Sequence, residues 1–274
     1  MKRVLITGLH SYIGDSVRDY LIKEKNYLVE FIDTIGLVPK PELFVGYDVV
    51  FNVAGIVHIK ETKNNSHLYF DINRDLVYRI AEAAKQGGVS QFILLSSMSV
   101  YGKITGHISK NTIPQPNTSY GKSKLEADNL IFNLSDKSFK FACIRPPMVY
   151  GKNCKGNYKL LRRIALKSPV FPNINNNRSM IYIGNLCEFV KKCIDQGFDG
   201  VFFPQNADYV NTSRLVQLIS SEHNKKIKLI SFFNWIIKII PIKTMQKVFG
   251  SLTYEPDDIV DKFSFEESIS LTER

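Results

Sequence analysis

Residues 3–8, Arg-Val-Leu-Ile-Thr-Gly, are a short apolar run that stops at a glycine, and residues 12–25 then carry helical spacing at Ile13, Val17, Tyr20 and Leu21. A strand, a glycine turn and a helix at the start of a chain constrain the rest of its fold. Further strand-like runs lie at 27–33, 48–53, 91–96 and 139–145, with helical patterns at about 66–86 and 119–134. Strands that alternate with helices pair in parallel, because a helical crossover returns the chain to the same end of the sheet. The predicted fold class is therefore α/β. After about residue 146 the regularity falls, and Pro146, Pro147, Pro169, Pro172 and the asparagines at 175–177 mark loops of a smaller C-terminal lobe.

The loop joining the first strand to the first helix reads Thr7-Gly8-Leu9-His10-Ser11-Tyr12-Ile13-Gly14. A dinucleotide-binding fold places its phosphate loop here. Gly8 allows the tight turn, Gly14 lets helix and sheet approach closely, and the helix start at Tyr12 and Ile13 offers free N–H groups and a positive dipole end to a pyrophosphate. Ser11 replaces the middle glycine of the usual pattern, where the cofactor should come closest. Its hydroxyl can donate to a phosphate oxygen, so altered affinity is expected without loss of the site.

Asp33 ends the second strand, 19 residues beyond Gly14, near the roughly 20-residue spacing of a carboxylate that binds the adenine ribose. It favours NAD, with NADP left open, because a carboxylate repels a 2′-phosphate. A turn-forming Asp before Thr34 is the alternative. The expected architecture is a Rossmann-type doubly wound parallel sheet, with 1–150 as the dinucleotide-binding domain, 184–206 returning to it, and 151–183 with 207–274 as the second lobe.

Tyr120-Gly121-Lys122-Ser123-Lys124 opens the helical pattern at 119, and Ser96-Ser97-Met98-Ser99-Val100-Tyr101-Gly102 ends the strand before it. Tyr120 and Lys124 at i and i+4 share one helix face, so an ammonium can lie below the phenol. To act as a base near neutrality a tyrosine must titrate roughly 3 units below its usual value, about 4 kcal/mol. Nearby positive charge is the available means. A serine hydroxyl can hold the substrate oxygen in line.

With these residues the chain resembles the extended short-chain dehydrogenase/reductase family, specifically the nucleotide-sugar epimerases and dehydratases. The likeness runs through TGLHSYIG, DVVFNVAGIVH, the YFDIN segment ending at Asn73, SSMSVYG, YGKSK, IRPPMVYG and RSMIYIGN. It implies Tyr120 as catalytic base and acid, Lys124 lowering its pKa and binding the nicotinamide ribose, and Ser97 bonding the sugar oxygen. Ala54 and Gly55 should lie along the cofactor, Asn73 should brace the active-site helix, and Pro147 with Met148 should flank the nicotinamide. In the second lobe the resemblance implies Asn157 and Arg178 on the nucleotide diphosphate and Phe171 in the base pocket. Loop capping and core packing are the alternatives for Asn157 and Phe171.

The same resemblance implies a 4-epimerase of UDP-hexoses or UDP-N-acetylhexosamines. A ketoreductase of UDP-4-keto-6-deoxy-N-acetylhexosamines in surface polysaccharide synthesis is the alternative, and a cofactor-binding sensor without turnover is a third. The family's 4,6-dehydratases place Asp-Glu directly after the active-site Ser/Thr, and here Met98 and Ser99 stand there. A GDP-sugar 3,5-epimerase/reductase would want a Cys in that segment and a nearby His, and His58 and His107 are not so placed. The resemblance also implies a homodimer through the helices around 66–86 and 119–134.

Charge and cysteine usage bound the partners. The 274 residues carry a net charge of +10, which on its own suggests nucleic acid or an anionic membrane. Between Asp136 and Glu188 there is no acid, while Lys137, Lys140, Arg145, Lys152, Lys155, Lys159, Arg162, Arg163, Lys167 and Arg178 all fall inside. That segment accounts for the whole excess. It is read as a field that draws in a dianionic UDP-sugar, with Arg178 in contact, and no nucleic acid is expected. Cys143, Cys154, Cys187 and Cys193 lack metal or disulfide spacing, so no metal is expected and the compartment reads as reducing, hence cytoplasmic. The N-terminus does not read as a signal peptide. The apolar run Leu229–Ile242 is too short for a membrane span, is interrupted by Asn234 and Lys238, and is read as a packed helix, with a membrane-surface anchor as the alternative.

Overall fold

A computed structural model describes residues 1–57, 61, 62, 64–232, 234 and 243–274, with 243 and 244 described in backbone alone. It divides the chain into two compact units.

The first comprises Met1–Gly102, Ile113–Pro146 and Cys187–Phe203. Its strands are β1 (Lys2–Thr7), β2 (Tyr27–Ile32), β3 (Val49–Asn52), β4 (Gln91–Leu95), β5 (Lys140–Ile144) and β6 (Gly200–Phe202). They form one sheet in the order β6-β5-β4-β3-β1-β2, parallel at every pairing. The doubly wound parallel sheet expected from the alternation is present, and β6 is a strand that the sequence pattern did not reveal. β3 is buried along its whole length, which is why such strands read as continuous apolar runs instead of alternating ones. The chain adds β2 on one side of β1 and then builds β3 to β6 on the other. An open parallel sheet leaves its binding crevice at such a reversal, at the carboxyl ends of the strands.

Helix α1 (Tyr12–Leu21) is capped by Ser11, whose side chain accepts the Gly14 N–H. The predicted helix at 66–86 is interrupted: α2 (Ser66–Phe70) runs into a π-helical turn, Asp71–Leu76, and continues as α3 (Val77–Gln86). Helix α4 (Ser119–Phe132) starts at Thr118, which accepts from the Gly121 N–H. Ile80, Ala81 and Ala84 of α3 and Ala127 and Ile131 of α4 share one core with Phe92, Leu94, Phe139 and Phe141. Each buried phenylalanine there stabilises the fold by roughly 1.5–3 kcal/mol.

The second unit comprises Lys103–Thr112, Pro147–Leu186 and Pro204–Arg274. It holds α5 (Asn157–Lys167), the start of α6 (Ile183–Gln196), α7 (Thr212–Glu222), α8 (Lys243–Phe249) and α9 (Phe265–Glu273). Its strands form short parallel pairs. Gly106–Ile108 lies beside Leu252–Tyr254 and Met148–Tyr150 beside Met180–Tyr182, and these pairings draw 103–112 and 147–150 out of the first unit, to which the sequence pattern had given them. Tyr150 stacks on Tyr158 at 5.5 Å. The Glu273 carboxylate, 1% exposed, accepts from Tyr158 at 2.8 Å and from Arg162 at 2.6 Å, fastening α9 to α5.

Where a packed helix was expected over Leu229–Ile242, Lys228–Ile230 is a strand, and residues 233 and 235–242 lie outside the described residues, as does His58. Among the described residues no helix is long and apolar enough to cross a membrane. All four cysteines are free and buried, and no cluster of three metal-ligating side chains occurs among the described residues.

Candidate active site

The carboxyl ends of β1 and β3 converge on Gly8 and Ala54. Gly8 has φ +97°, and a Cβ there would meet the Ala54 backbone at 3.0 Å. At Gly14 even a bare Cβ would touch Val53, Ile6 and Phe31 at 3.1–3.4 Å. The two glycines therefore set a close approach of loop, helix and sheet. The cradle fits a dinucleotide: the start of α1 leaves its first amides outside the helix ladder, and Ser11 uses its oxygen as a cap while keeping a hydroxyl proton to donate. Asp33 lies exposed just past β2, where its Oδ1 accepts the Ile35 N–H at 3.0 Å. It makes the turn, and its second carboxylate oxygen stays available to a ribose.

Gly55 follows Ala54, and a Cβ there would lie 2.7 Å from Asn73 Oδ1 and 3.4 Å from Lys124 Nζ. Asn73, fully buried in the π-helical turn, accepts from Ile56 N at 2.8 Å and donates to Ile56 O at 3.1 Å and to Ser123 Oγ at 3.4 Å. It joins the segment after β3 to the first turns of α4.

Ser97, Tyr120 and Lys124 are brought together at the ends of β4 and α4. Ser97 caps a short 3-10 turn, Met98–Tyr101, accepting from Ser99 N at 3.1 Å and Ser99 Oγ at 3.0 Å. With its lone pairs occupied, its own proton is left to donate, and its influence on the Tyr120 phenol is to lower that group's pKa. Gly121 makes this juxtaposition possible, since a Cβ there would lie 2.7 Å from Ser99 O. Tyr69 meets the Tyr120 ring edge-on at 6.2 Å.

The electrostatics differ from the expectation that Lys124 depresses the phenol. Burial pushes Tyr120 up, the Ser97 hydrogen bond pulls it down, and the charges of Asp128 and Tyr69 push it up again. Lys124 is itself buried, donates to Leu95 O at 2.9 Å, and is shifted down to about 8 by burial, with Asp128 opposing. The chain alone thus lowers its lysine and raises its tyrosine.

Asp128 follows Lys124 by one turn of α4. It accepts from Ser96 Oγ at 2.9 Å and Arg145 Nε at 3.0 Å, and Arg145 also donates to Tyr101 at 2.9 Å. One carboxylate therefore links α4, the end of β4 and the end of β5. No sequence motif singled it out. Position i+8 from Tyr120, on the same helix face as Lys124, was the available signal.

In the second unit Met148, Asn157, Leu161, Arg178, Met180, Thr212, Leu215, Lys247 and Val248 line a narrow cleft. Arg178 donates to Gly250 O at 2.7 Å, has no carboxylate partner among the described residues, and is shifted down by burial. The cleft thus joins Asn157 and Arg178 and adds Lys247, which sequence reasoning missed. Phe171 is not part of it: it is 2% exposed and rests against Phe249 at 5.7 Å. Pro147 is buried and precedes Met148, which lines the cleft.

The ten cations of the acid-free stretch do not form one field. Lys137, Lys140 and Arg145 belong to the first unit, Arg145 is paired with Asp128, and Arg162 is paired with Glu273.

Residues 4–202 match the NAD dependent epimerase/dehydratase family. The chain belongs to this family. Among relatives, it is 27% identical over 245 residues to the N-acetyl-alpha-D-glucosaminyl-diphospho-ditrans,octacis-undecaprenol 4-epimerase of Escherichia coli O157:H7, covering 82% of this chain and 73% of that protein. It is 27% identical over 290 residues to the UDP-glucose 4-epimerase of Vibrio cholerae, covering 96% and 85%. Among solved structures, the UDP-glucuronic acid 4-epimerase of Bacillus cereus in complex with NAD superimposes with a TM-score of 0.78 over 98% of this chain and 96% of that one at 17% identity. That likeness is one of fold. For an epimerase/dehydratase family member, Met98 and Ser99 after Ser97 leave no acid pair of the kind that eliminates water.

Proposed function

We propose that the chain is an NAD-dependent 4-epimerase of a hexose or N-acetylhexosamine carried on a diphosphate, with a UDP-sugar as the first candidate substrate. The observation that carries this reading is the Ser97–Tyr120–Lys124 set with Met98 and Ser99 beside it. The two relatives, both named as 4-epimerases, support it.

The first unit would hold NAD through Gly8, Ser11, Tyr12, Ile13 and Gly14 at the pyrophosphate, Asp33 at the adenine ribose, Ala54 and Gly55 along its length, and Tyr120 and Lys124 at the nicotinamide ribose. Pro147 and Met148 would flank the ring. Bound NAD supplies a hydride acceptor and donor for the sugar carbon. Tyr120 takes the proton of the sugar hydroxyl as that carbon becomes a ketone, and gives it back when the ketone is reduced on its other face. Ser97 donates its hydroxyl proton to the same sugar oxygen and keeps it in line. Lys124, anchored on Leu95 O, would hold the nicotinamide ribose beside the phenol. The second unit would hold the diphosphate through Arg178, Lys247 and Asn157. Four free buried cysteines support a reducing compartment, the cytoplasm. A homodimer through the helices at 66–86 and 119–134 belongs to the same proposal and is tested by gel filtration.

One observation favours a second reading of the carrier. Phe171, the expected wall of a base pocket, is buried against Phe249 and away from the cleft. A sugar diphosphate on a polyprenyl lipid presents the same anion and needs no base pocket.

A single incubation series tests these readings, using UDP-glucose, UDP-N-acetylglucosamine, an undecaprenyl-diphospho-N-acetylglucosamine and a UDP-4-keto-6-deoxy sugar. Interconversion without change in NADH absorbance supports the epimerase, and the substrate that turns over identifies the carrier. Stoichiometric loss of NAD(P)H on the keto sugar replaces it with the reductase. Inertness toward all four with cofactor bound would leave a sensor.

A further inference from the structure

Helix α5 carries two chemistries on opposite faces. At about 100° per residue, Asn157 and Leu161 share the side that lines the cleft. Lys159, Arg163 and Lys167 fall together on the other side, all exposed, with Leu160 beside them at 42% exposure. These cations are turned away from the diphosphate site.

A second stretch without acids lies later in the chain. Between Glu222 and Glu255 there is no Asp or Glu, and Lys225, Lys226 and Lys228 fall near its start. The two stretches meet in the fold. Val170–Pro172 pairs in parallel with Lys228–Ile230, Val170 opposite Lys228. Lys225 Nζ donates to Leu166 O at the end of α5 at 2.8 Å, and Lys228 N to Pro169 O at 2.9 Å.

The result is a surface with exposed Lys159, Arg163, Lys167, Lys225, Lys226 and Lys228. None of these six makes an ion pair among the described residues. Exposed apolar side chains lie among them and at the edge: Leu160, Val170 at 40% and Phe232 at 78%. Single-stranded nucleic acid would ask for several aromatic platforms between the cations, and one phenylalanine is no such array. Cations interspersed with aliphatic side chains suit an anionic bilayer, where charge draws the face down and the apolar groups enter the headgroup boundary.

We propose that this face of the second unit docks on a bilayer surface bearing anionic lipid headgroups. The inference rests on the second reading of the carrier, since a polyprenyl-linked sugar stays at the bilayer. Each cation near such a surface raises partitioning by about fivefold, so three of them account for about 100-fold.

The test is co-sedimentation of the full chain with vesicles of phosphatidylcholine alone or mixed with phosphatidylglycerol. Binding is expected on the mixed vesicles only, weakening with salt. The triple variant Lys159→Glu/Arg163→Glu/Lys167→Glu should bind at least about 100-fold less well, and Lys226→Glu/Lys228→Glu should weaken binding in the same direction, while both keep the wild-type affinity for NAD. Equal binding to both vesicles, or unchanged binding of both variants, overturns the proposal. So does displacement from the vesicles by single-stranded RNA at lower concentration than by free phosphatidylglycerol vesicles. A loss of kcat/KM on the soluble UDP-sugar with vesicle binding unaltered also overturns it, and returns these charges to substrate capture. Vesicle binding without turnover of the lipid-linked sugar supports the docking face and removes the second reading of the carrier.

Discussion

Asp128 and Arg145 are paired at 3.0 Å with side chains only 3% and 8% exposed, one turn of α4 beyond Lys124. A buried pair of this kind is weak as a source of stability and costly to break, because the remaining partner stays charged without compensation. Asp128→Asn or Arg145→Met alone should lower unfolding stability by about 3–5 kcal/mol. The double replacement Asp128→Leu/Arg145→Met should cost less than either single one. Urea unfolding of the three variants checks this, and an additive double variant would remove the pairing argument.

Lys124 has a pH signature in stability. It titrates at about 8 in the fold against 10.5 in its ordinary state, so the folded protein binds fewer protons than the unfolded chain between those values. Stability attributable to this side chain therefore rises as pH climbs from 8 to 10.5. Below 8 the fold bears the full cost of charging a buried amine, about 3 kcal/mol. Lys124→Met should stabilise the protein at pH 7 by about 2 kcal/mol, after the lost hydrogen bond to Leu95 O is counted, and should gain nothing at pH 10.5. Unfolding curves of both proteins at the two pH values give the difference directly. Turnover in the variant should be lost.

Gly121 holds the start of α4 against the Ser97 turn, and its methyl analogue cannot fit 2.7 Å from Ser99 O. Gly121→Ala should shift Tyr120 from Ser97 and reduce kcat by about 100-fold, the penalty of a displacement near 1 Å, with NAD affinity retained. Tyr120→Phe should go further and abolish turnover while NAD still binds. Single-turnover kinetics together with NAD titration separate the two effects. A Gly121→Ala enzyme with wild-type kcat would mean that the Ser97 turn yields freely.

Arg178 lies in a cleft with Lys247, and among the described residues no acid lines it. Arg178→Ala should raise KM for the diphosphate sugar by about 10-fold or more, the scale of a lost charge-assisted hydrogen bond, and leave cofactor affinity alone. A fall in NAD binding instead would contradict the placement of the diphosphate. Steady-state kinetics and NAD titration on the one variant suffice.

Much of the first unit was legible because its residues obey local rules. Gly8 and Gly14 stand where a turn and a close approach demand glycine, and buried parallel strands read as unbroken apolar runs. Tyr120 and Lys124 were legible through i, i+4 spacing, and Asn157 with Arg178 through family resemblance. What escaped depends on distant contacts. Asp128 has meaning only beside Ser96 and Arg145, and Lys247 only beside Arg178. Phe171 carries the same letters whether it lines a pocket or packs on Phe249. Leu229 and Ile230 looked like the start of a helix because their partner strand, Val170–Pro172, lies far back in the chain. The net charge likewise could be located in sequence, but its division between the two units could not.

The π-helical turn at Asp71–Leu76 makes the floor of the catalytic region sensitive to residue count as well as residue type. It carries one residue more per turn than the helices on either side of it, and Asn73 reaches both Ile56 and Ser123 from within that looser turn. Deleting one residue between Asn73 and Val77 would restore an ordinary helix, preserve the apolar pattern of α3, and rotate Asn73 by about 100° relative to it. Substitutions scanned one at a time would leave this dependence unseen. In that stretch the chain measures out its own geometry by length.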